Sequence, residues 1–179
     1  MTKIFAVICS IAFSIGVMPT VGAWEPDPDD RKQVKAATET ERFLENERVR
    51  SFIERGYGYA ILPNFFRVAV GLGFNYGNGF VVEQDELVGR VSTYQGTIGF
   101  TYGLEYHSQI IVFRDRAVLE DFQKGRFEFQ GRANAVFFAW GGAANPGFVP
   151  EVAIFSRTKA GLMVELAAIA AKYNYKQLE

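Results

Sequence analysis

The segment Ser156-Arg157-Thr158-Lys159-Ala160-Gly161 places two cations and two hydroxyls within six residues, directly after an apolar run. Arg supplies a planar fork of donors and Lys a point charge, a combination suited to a phosphate or lipid headgroup. The local pattern is that of a basic turn following a strand, and a solvated turn without a ligand has the same pattern. Arg126 and Arg132 are further cations expected to join it. A second stretch, GLGFNYGNGFVV from Gly71 to Val82, invites a phosphate-loop reading. That reading fails, because Tyr76 stands where a dinucleotide fingerprint needs its third glycine and no Gly-Lys-Ser/Thr follows.

Enzymatic sites find little support. His107 is the only histidine, which excludes multi-histidine zinc sites and a two-histidine iron site. A triad would have to join His107 to Ser92, Ser108 or Ser156, and no nucleophile elbow is present. Glu105 and Glu165 could form a carboxylate pair only through the fold. A non-catalytic protein without a cofactor is therefore expected.

The elements that must position these residues begin after an apolar leader. Lys3, the apolar run Ile4 to Val17, Pro19 and the small residues Val21-Gly22-Ala23 form the pattern of a secretory signal peptide, with cleavage expected after Ala23. Cleavage would remove Cys9, the single cysteine, so no disulfide is expected. The chain has a formal net charge of -1, and losing Lys3 makes the remainder more acidic. A global nucleic-acid footprint is absent, and attraction to anions must be local.

Residues 24–30 (WEPDPDD) read as a linker, and residues 31–179 as one domain. Asp30 with Gln33 fits a capping box, and no Gly or Pro interrupts Arg31 to Arg55. One long helix is expected there, with Val34, Ala37, Leu44, Phe52 and Ile53 on its apolar stripe and Gly56 as its stop. Its stripe would dock on the core or lie on a membrane surface.

After Gly56 the period changes to two. Strands are expected at Tyr57–Leu62, Phe66–Tyr76, Phe80–Gln84, Leu87–Thr93, Thr97–Leu104 and Tyr106–Phe113, with turns at Asn78-Gly79 and Gln84-Asp85-Glu86. Asp115 reads as the cap of a short helix through Lys124, ended by Gly125. Strands are expected again at Arg126–Phe129, Ala133–Gly141 and Glu151–Ser156, with a break at Asn145-Pro146-Gly147. Residues 162–175 fit either helix or strand.

Alternation divides the strands into a bulky face and a small one. Val68, Val70, Leu72 and Phe74 oppose Ala69, Gly71, Gly73 and Asn75; Ile98, Phe100 and Tyr102 oppose Gly99, Thr101 and Gly103. Gly71, Gly73, Gly99 and Gly103 are thus candidates for a close-packing face or for contact with an acyl chain. Gly77 and Gly79 read as flanking the Asn78 turn.

Five pieces in order resemble the SYLF domain: Gly58 to Pro63, Gly71 to Gly79, Gln95 to Gly99, Tyr106 to Phe113, and Ser156 to Leu162. The resemblance covers about Glu45 to Tyr175. It implies a lipid-binding module: eukaryotic members bind phosphoinositides, partly through an opening amphipathic helix, a yeast branch binds actin filaments, and bacterial members are exported or lipid-anchored. The lysine of the family's late turn is similar to Lys159, although Ala160 here separates it from Gly161. Arg132 stands where many bacterial members carry an acid, and Ile169-Ala170 where they carry Gly-Gly. For residues 162–175 the resemblance favours a strand.

The expected fold is a β-rich α+β domain, a curved antiparallel sheet or barrel-like core with a long N-terminal helix and one short internal helix. The expected function is exported, non-catalytic binding of phospholipid or another amphiphile at a membrane surface, with Arg157 and Lys159 on the headgroup. The alternatives are a small outer-membrane β-barrel and a protein-binding scaffold.

Overall fold

A computed structural model describes residues 24–125, 135–139 and 151–178. The elements in chain order are α1 (Arg31–Leu44), α2 (Glu47–Arg55), β1 (Gly58–Glu83), β2 (Glu86–Phe113), α3 (Arg116–Gln123), β3 (Ala135–Ala139) and β4 (Val152–Gln177). They build a β-rich α+β fold around one sheet of order β1-β2-β4-β3. β1, β2 and β4 pair antiparallel, and β3 lies parallel to β4. The described strands stand in an open order, so the sheet is curled rather than closed.

The expected single opening helix is two. Asn46 breaks it by leaving helical geometry and capping a new turn: its side chain accepts from the backbone N–H of Arg48 (3.0 Å) and Val49 (3.4 Å). The Arg50 guanidinium donates to the Leu44 carbonyl at 2.8 and 3.0 Å, satisfying a group the end of α1 leaves open. The apolar stripe shifts accordingly. Phe43 and Val49 are among the deepest side chains, while Val34 is exposed. At the start of α1, Asp30 accepts from Lys32 and Gln33 as a cap should, but Gln33 reaches back to Asp27 instead of closing the box on Asp30.

Six expected strands merge into two. Only one tight turn divides β1 from β2, at Gln84-Asp85, where both residues take positive φ (47° and 66°) as a type I′ hairpin demands. The expected Asn78-Gly79 turn is absent: these residues sit mid-strand, paired with Ser92 and Val91. Pro63 interrupts the pattern without ending the strand, because it falls at a register shift between Leu62 and Phe65, where its missing N–H is tolerated. The short helix forms as read, with Asp115 accepting from Val118 N–H and Gly125 leaving the helix at φ +66°. Residues 162–175 are strand. The strand expected at Arg126–Phe129 and the break at Asn145-Pro146-Gly147 lie outside the described residues, as does the leader.

β1 curls until its two ends meet. A Cβ built on Gly79 would stand 1.8 Å from the Ile61 carbonyl oxygen, one on Gly58 would stand 2.6 Å from that of Val82, and the Gln84 N–H donates to the Tyr57 carbonyl at 3.3 Å. The ends of the strands are therefore buried on both faces, which explains the continuous apolar runs AIL, FVV, IIVF and VAIF. On one face Tyr59, Ile61, Phe80, Val82, Ile110, Val112, Ala153 and Phe155 pack against Trp24, α1 and α2. On the other, Ala60, Leu62, Phe65, Val81, Ile111, Phe113, Val152 and Ile154 pack with Val118, Leu119 and Phe122 of α3 and with Tyr173.

Candidate functional site

The segment Ser156 to Gly161 is strand, not turn. His107 faces Thr158 and Tyr106 faces Ala160, so Lys159 is the extra residue of a bulge in β4. The bulge aims Lys159 at α1, where Glu39, only 3% exposed, waits on the inward face. Lys159 Nζ lies 3.0 Å from Glu39 Oε1, Arg157 Nη2 2.7 Å from Oε2, and Arg42 Nη1 2.8 Å from Oε1. Lys159 also donates to the Pro63 carbonyl at 2.6 Å. Burial works to raise the Glu39 carboxyl, but hydrogen bonds from Lys159 and Arg157 outweigh it and hold its pKa below the ordinary carboxylate value.

The two expected headgroup residues are thus brought together, around a carboxylate of the protein itself. Lys35 adds a fourth cation beside them: its Nζ donates to the Tyr106 hydroxyl at 3.2 Å, and Lys159 lies over the same ring at 5.4 Å. Tyr106 in turn donates to Asn64 Oδ1. Sequence reasoning missed Glu39, although a carboxylate between Ala36 and Phe43 on the buried side of a helix was a legible signal. Arg126 and Arg132 lie outside the described residues.

Next to this cluster the sheet emerges from beneath α1. Phe66, Val68, Val70, Leu72 and Phe74 of β1, with Tyr94 and Leu104 of β2, form an exposed band; Val70 and Leu72 are 74% and 70% exposed. Val68 and Leu104 are cross-strand partners, and the Phe74 and Tyr76 rings both approach Tyr94, at 6.3 and 5.1 Å. The bulky residues that alternate along this part of β1 are turned to solvent.

The candidate glycines lie along this stretch. Gly73 pairs with Thr97, Gly103 (φ 140°) with Ala69, and Gly99 with Ala167, while Gly71 occupies a register shift between Val70 and Leu72. Two further glycines of β1 are closely approached: a Cβ on Gly77 would meet the Phe65 ring at 2.6 Å, and Gly79 abuts backbone.

Among the described residues the opposite face carries buried polar side chains. Asn75 donates to Gln95 (3.3 Å), Gln95 to Tyr173 (3.2 Å), Tyr173 to Gln109 (3.1 Å), and Gln109 to Ser156 (3.4 Å). Burial lowers the His107 pKa to about 4, so the ring is neutral at pH 7; it stacks on Phe65 at 4.5 Å. Its Nδ1 lies 3.8 Å from Glu105, while Ser108 Oγ donates to the Arg157 carbonyl and Ser156 Oγ accepts from Gln109. This is a packed polar interior, in which these two serines have partners other than His107.

No family model, no curated protein and no solved structure matches the chain.

Proposed function

We propose that this protein binds phospholipid or a similar amphiphile at a membrane surface, without catalysis. The observation that carries the reading is the band from Phe66 to Phe74 with Tyr94 and Leu104. An exposed apolar strip of this kind marks an interaction surface.

Charge favours a lipid occupant. At the Tyr106 end the band meets Arg42, Arg157 and Lys159 gathered on the single carboxylate of Glu39, with Lys35 on the Tyr106 hydroxyl, an excess of positive charge that suits anionic headgroups. The motifs that resemble the SYLF domain support the same reading, as does the leader pattern, which makes an exported protein the natural setting. The lipid surface differs from the one the opening helix offered, because that helix turns Ala36, Phe43 and Leu44 into the core.

Vesicle flotation tests it. Full insertion of a Val or Leu side chain is worth roughly 1.5–3 kcal/mol, so a Val70→Asp, Leu72→Asp double substitution is expected to lower retention on phosphatidylglycerol vesicles by at least about tenfold. The melting temperature should stay close to wild type, since both side chains are already in water. High salt should weaken wild-type binding. Equal retention of the variant and the wild type would overturn the proposal, and a stable protein partner with no vesicle binding would replace it with a scaffold.

A second reading has its own observation. The alternate apolar side chains that β1 exposes from Phe66 to Phe74 cover the length of one tilted membrane-crossing strand, roughly 9–11 residues. Spanning strands would keep the protein on membranes through a carbonate wash that strips a surface-bound one.

A further inference from the structure

A cavity of about 420 Å³ opens where Pro63 and Asn64 of β1 lie near its Tyr76 to Phe80 stretch, beside Lys32 at the start of α1. Its wall carries Lys32 from α1, Arg90 from β2 and Lys176 from β4, together with Tyr76, Asn78 and Ser92. The strand register explains the convergence: Ser92 faces Asn78 across one pair of strands, and Arg90 faces Lys176 across the other. The curl of β1 then sets the start of α1 over them. None of these cations belongs to the Glu39 cluster.

The charges do not cancel. Asp30 Oδ2 lies 3.5 Å from Arg90, and that carboxylate already accepts the backbone N–H groups of Lys32 and Gln33, which hold its pKa below the ordinary value. Lys32 and Lys176 have no ion-pair partner among the described residues. Three cations thus face one cavity against one carboxylate, in a chain whose formal net charge is -1. Around them stand neutral hydrogen-bonding groups: the Ser92 hydroxyl and the Asn78 amide, which donates to Tyr76 OH at 3.2 Å. Cations that converge with neutral donors in a pocket of several hundred Å³ match a compact ligand with more than one negative charge.

We propose that this cavity is a binding site for a phosphate monoester, with Lys32 and Lys176 as charge partners, Arg90 as the fork, and Asn78 and Ser92 as neutral donors. The ester is either a small soluble molecule or the headgroup of a lipid; the two share this chemistry. The site stands independently of the exposed apolar band and requires no membrane.

Calorimetric titration of the protein with sn-glycerol 3-phosphate, in the absence of lipid, tests the site alone. Saturable one-to-one binding is expected, with glycerol giving none. A Lys32→Gln, Lys176→Gln double substitution should weaken it at least about tenfold, while Lys124→Gln, just past α3, should leave it unchanged. Absence of saturable binding, or equal affinity in the double variant, would overturn the proposal, as would an equal loss in Lys124→Gln, which would reveal a general charge effect. Flotation on phosphatidic acid vesicles then separates the sources: a parallel loss in the double variant identifies a lipid headgroup, and retained flotation a soluble ester. Failure of the titration leaves the Val70, Leu72 result untouched, so the two proposals fail separately.

Discussion

Replacing Gly79 by alanine is expected to destabilise the protein by about 3 kcal/mol or more, the upper end of what overpacking costs. The added Cβ would stand 1.8 Å from the Ile61 carbonyl oxygen, 2.7 Å from its carbon and 2.8 Å from the Leu62 Cα. All three are backbone atoms, so no rotamer change relieves the clash; the two ends of β1 would have to separate, opening both core clusters. Gly77→Ala meets side-chain rather than backbone atoms, the edge of the Phe65 ring and a Leu62 methyl, and should cost less. Gly96→Ala is the control. Nothing lies within 4 Å of its Cβ position, and the effect is expected to be neutral or a gain of up to about 0.5 kcal/mol from a less flexible unfolded chain. Urea denaturation measures all three. A Gly79→Ala midpoint equal to that of Gly96→Ala would rule out the crossing of the strand ends.

Glu39→Gln is expected to cost about 3–5 kcal/mol, because it leaves Arg157 and Lys159 facing each other in a confined site without their counter-charge. For a chain of this size that corresponds to a fall in melting temperature of about 10 °C. Arg157→Met should then cost far less in the Glu39→Gln background than alone; additive costs would mean the charges do not act as a unit.

The pH dependence follows the depressed carboxyl. Its folded pKa lies below the ordinary 4.5, so the stabilisation is fully present above pH 4.5 and is lost as the pH falls from there through the folded value. Glu39→Gln should therefore flatten this part of the acid limb of the stability curve. An acid limb identical to wild type would show that the carboxylate is not the group responsible.

Much of the fold was legible because it rests on local chemistry. The Asp115 cap and Gly125 stop bound α3, and Gln84-Asp85 makes the hairpin turn, each through groups a few residues apart. Asn46 was legible in principle as a cap. It was overlooked because neither Gly nor Pro marks the break and the helical pattern continues beyond it. Asn78-Gly79 misled for the converse reason: the dipeptide is ideal turn chemistry, but Gly79 is there so that the Ile61 backbone can pass it, a contact between residues far apart in sequence.

The candidate site divides the same way. Arg157 and Lys159 stood out by type and spacing, yet the partner that neutralises them, Glu39, is over a hundred residues away and could not be paired with them from spacing. Alternation sorted Val68, Val70, Leu72 and Phe74 onto one face without saying whether that face is covered. Lys32, Arg90 and Lys176 showed no pattern at all, since they come from three separate elements.

By itself, then, the sequence determined residue-scale features: the β-rich class, the helix caps, the hairpin turn and the two-sided character of the strands. Only the tertiary structure decided which side meets water, which cations are already paired and where a cavity opens. The curl of β1 governs all three. It is set by distant backbones packing against Gly58 and Gly79, and periodicity along a chain carries no record of which distant segment will arrive.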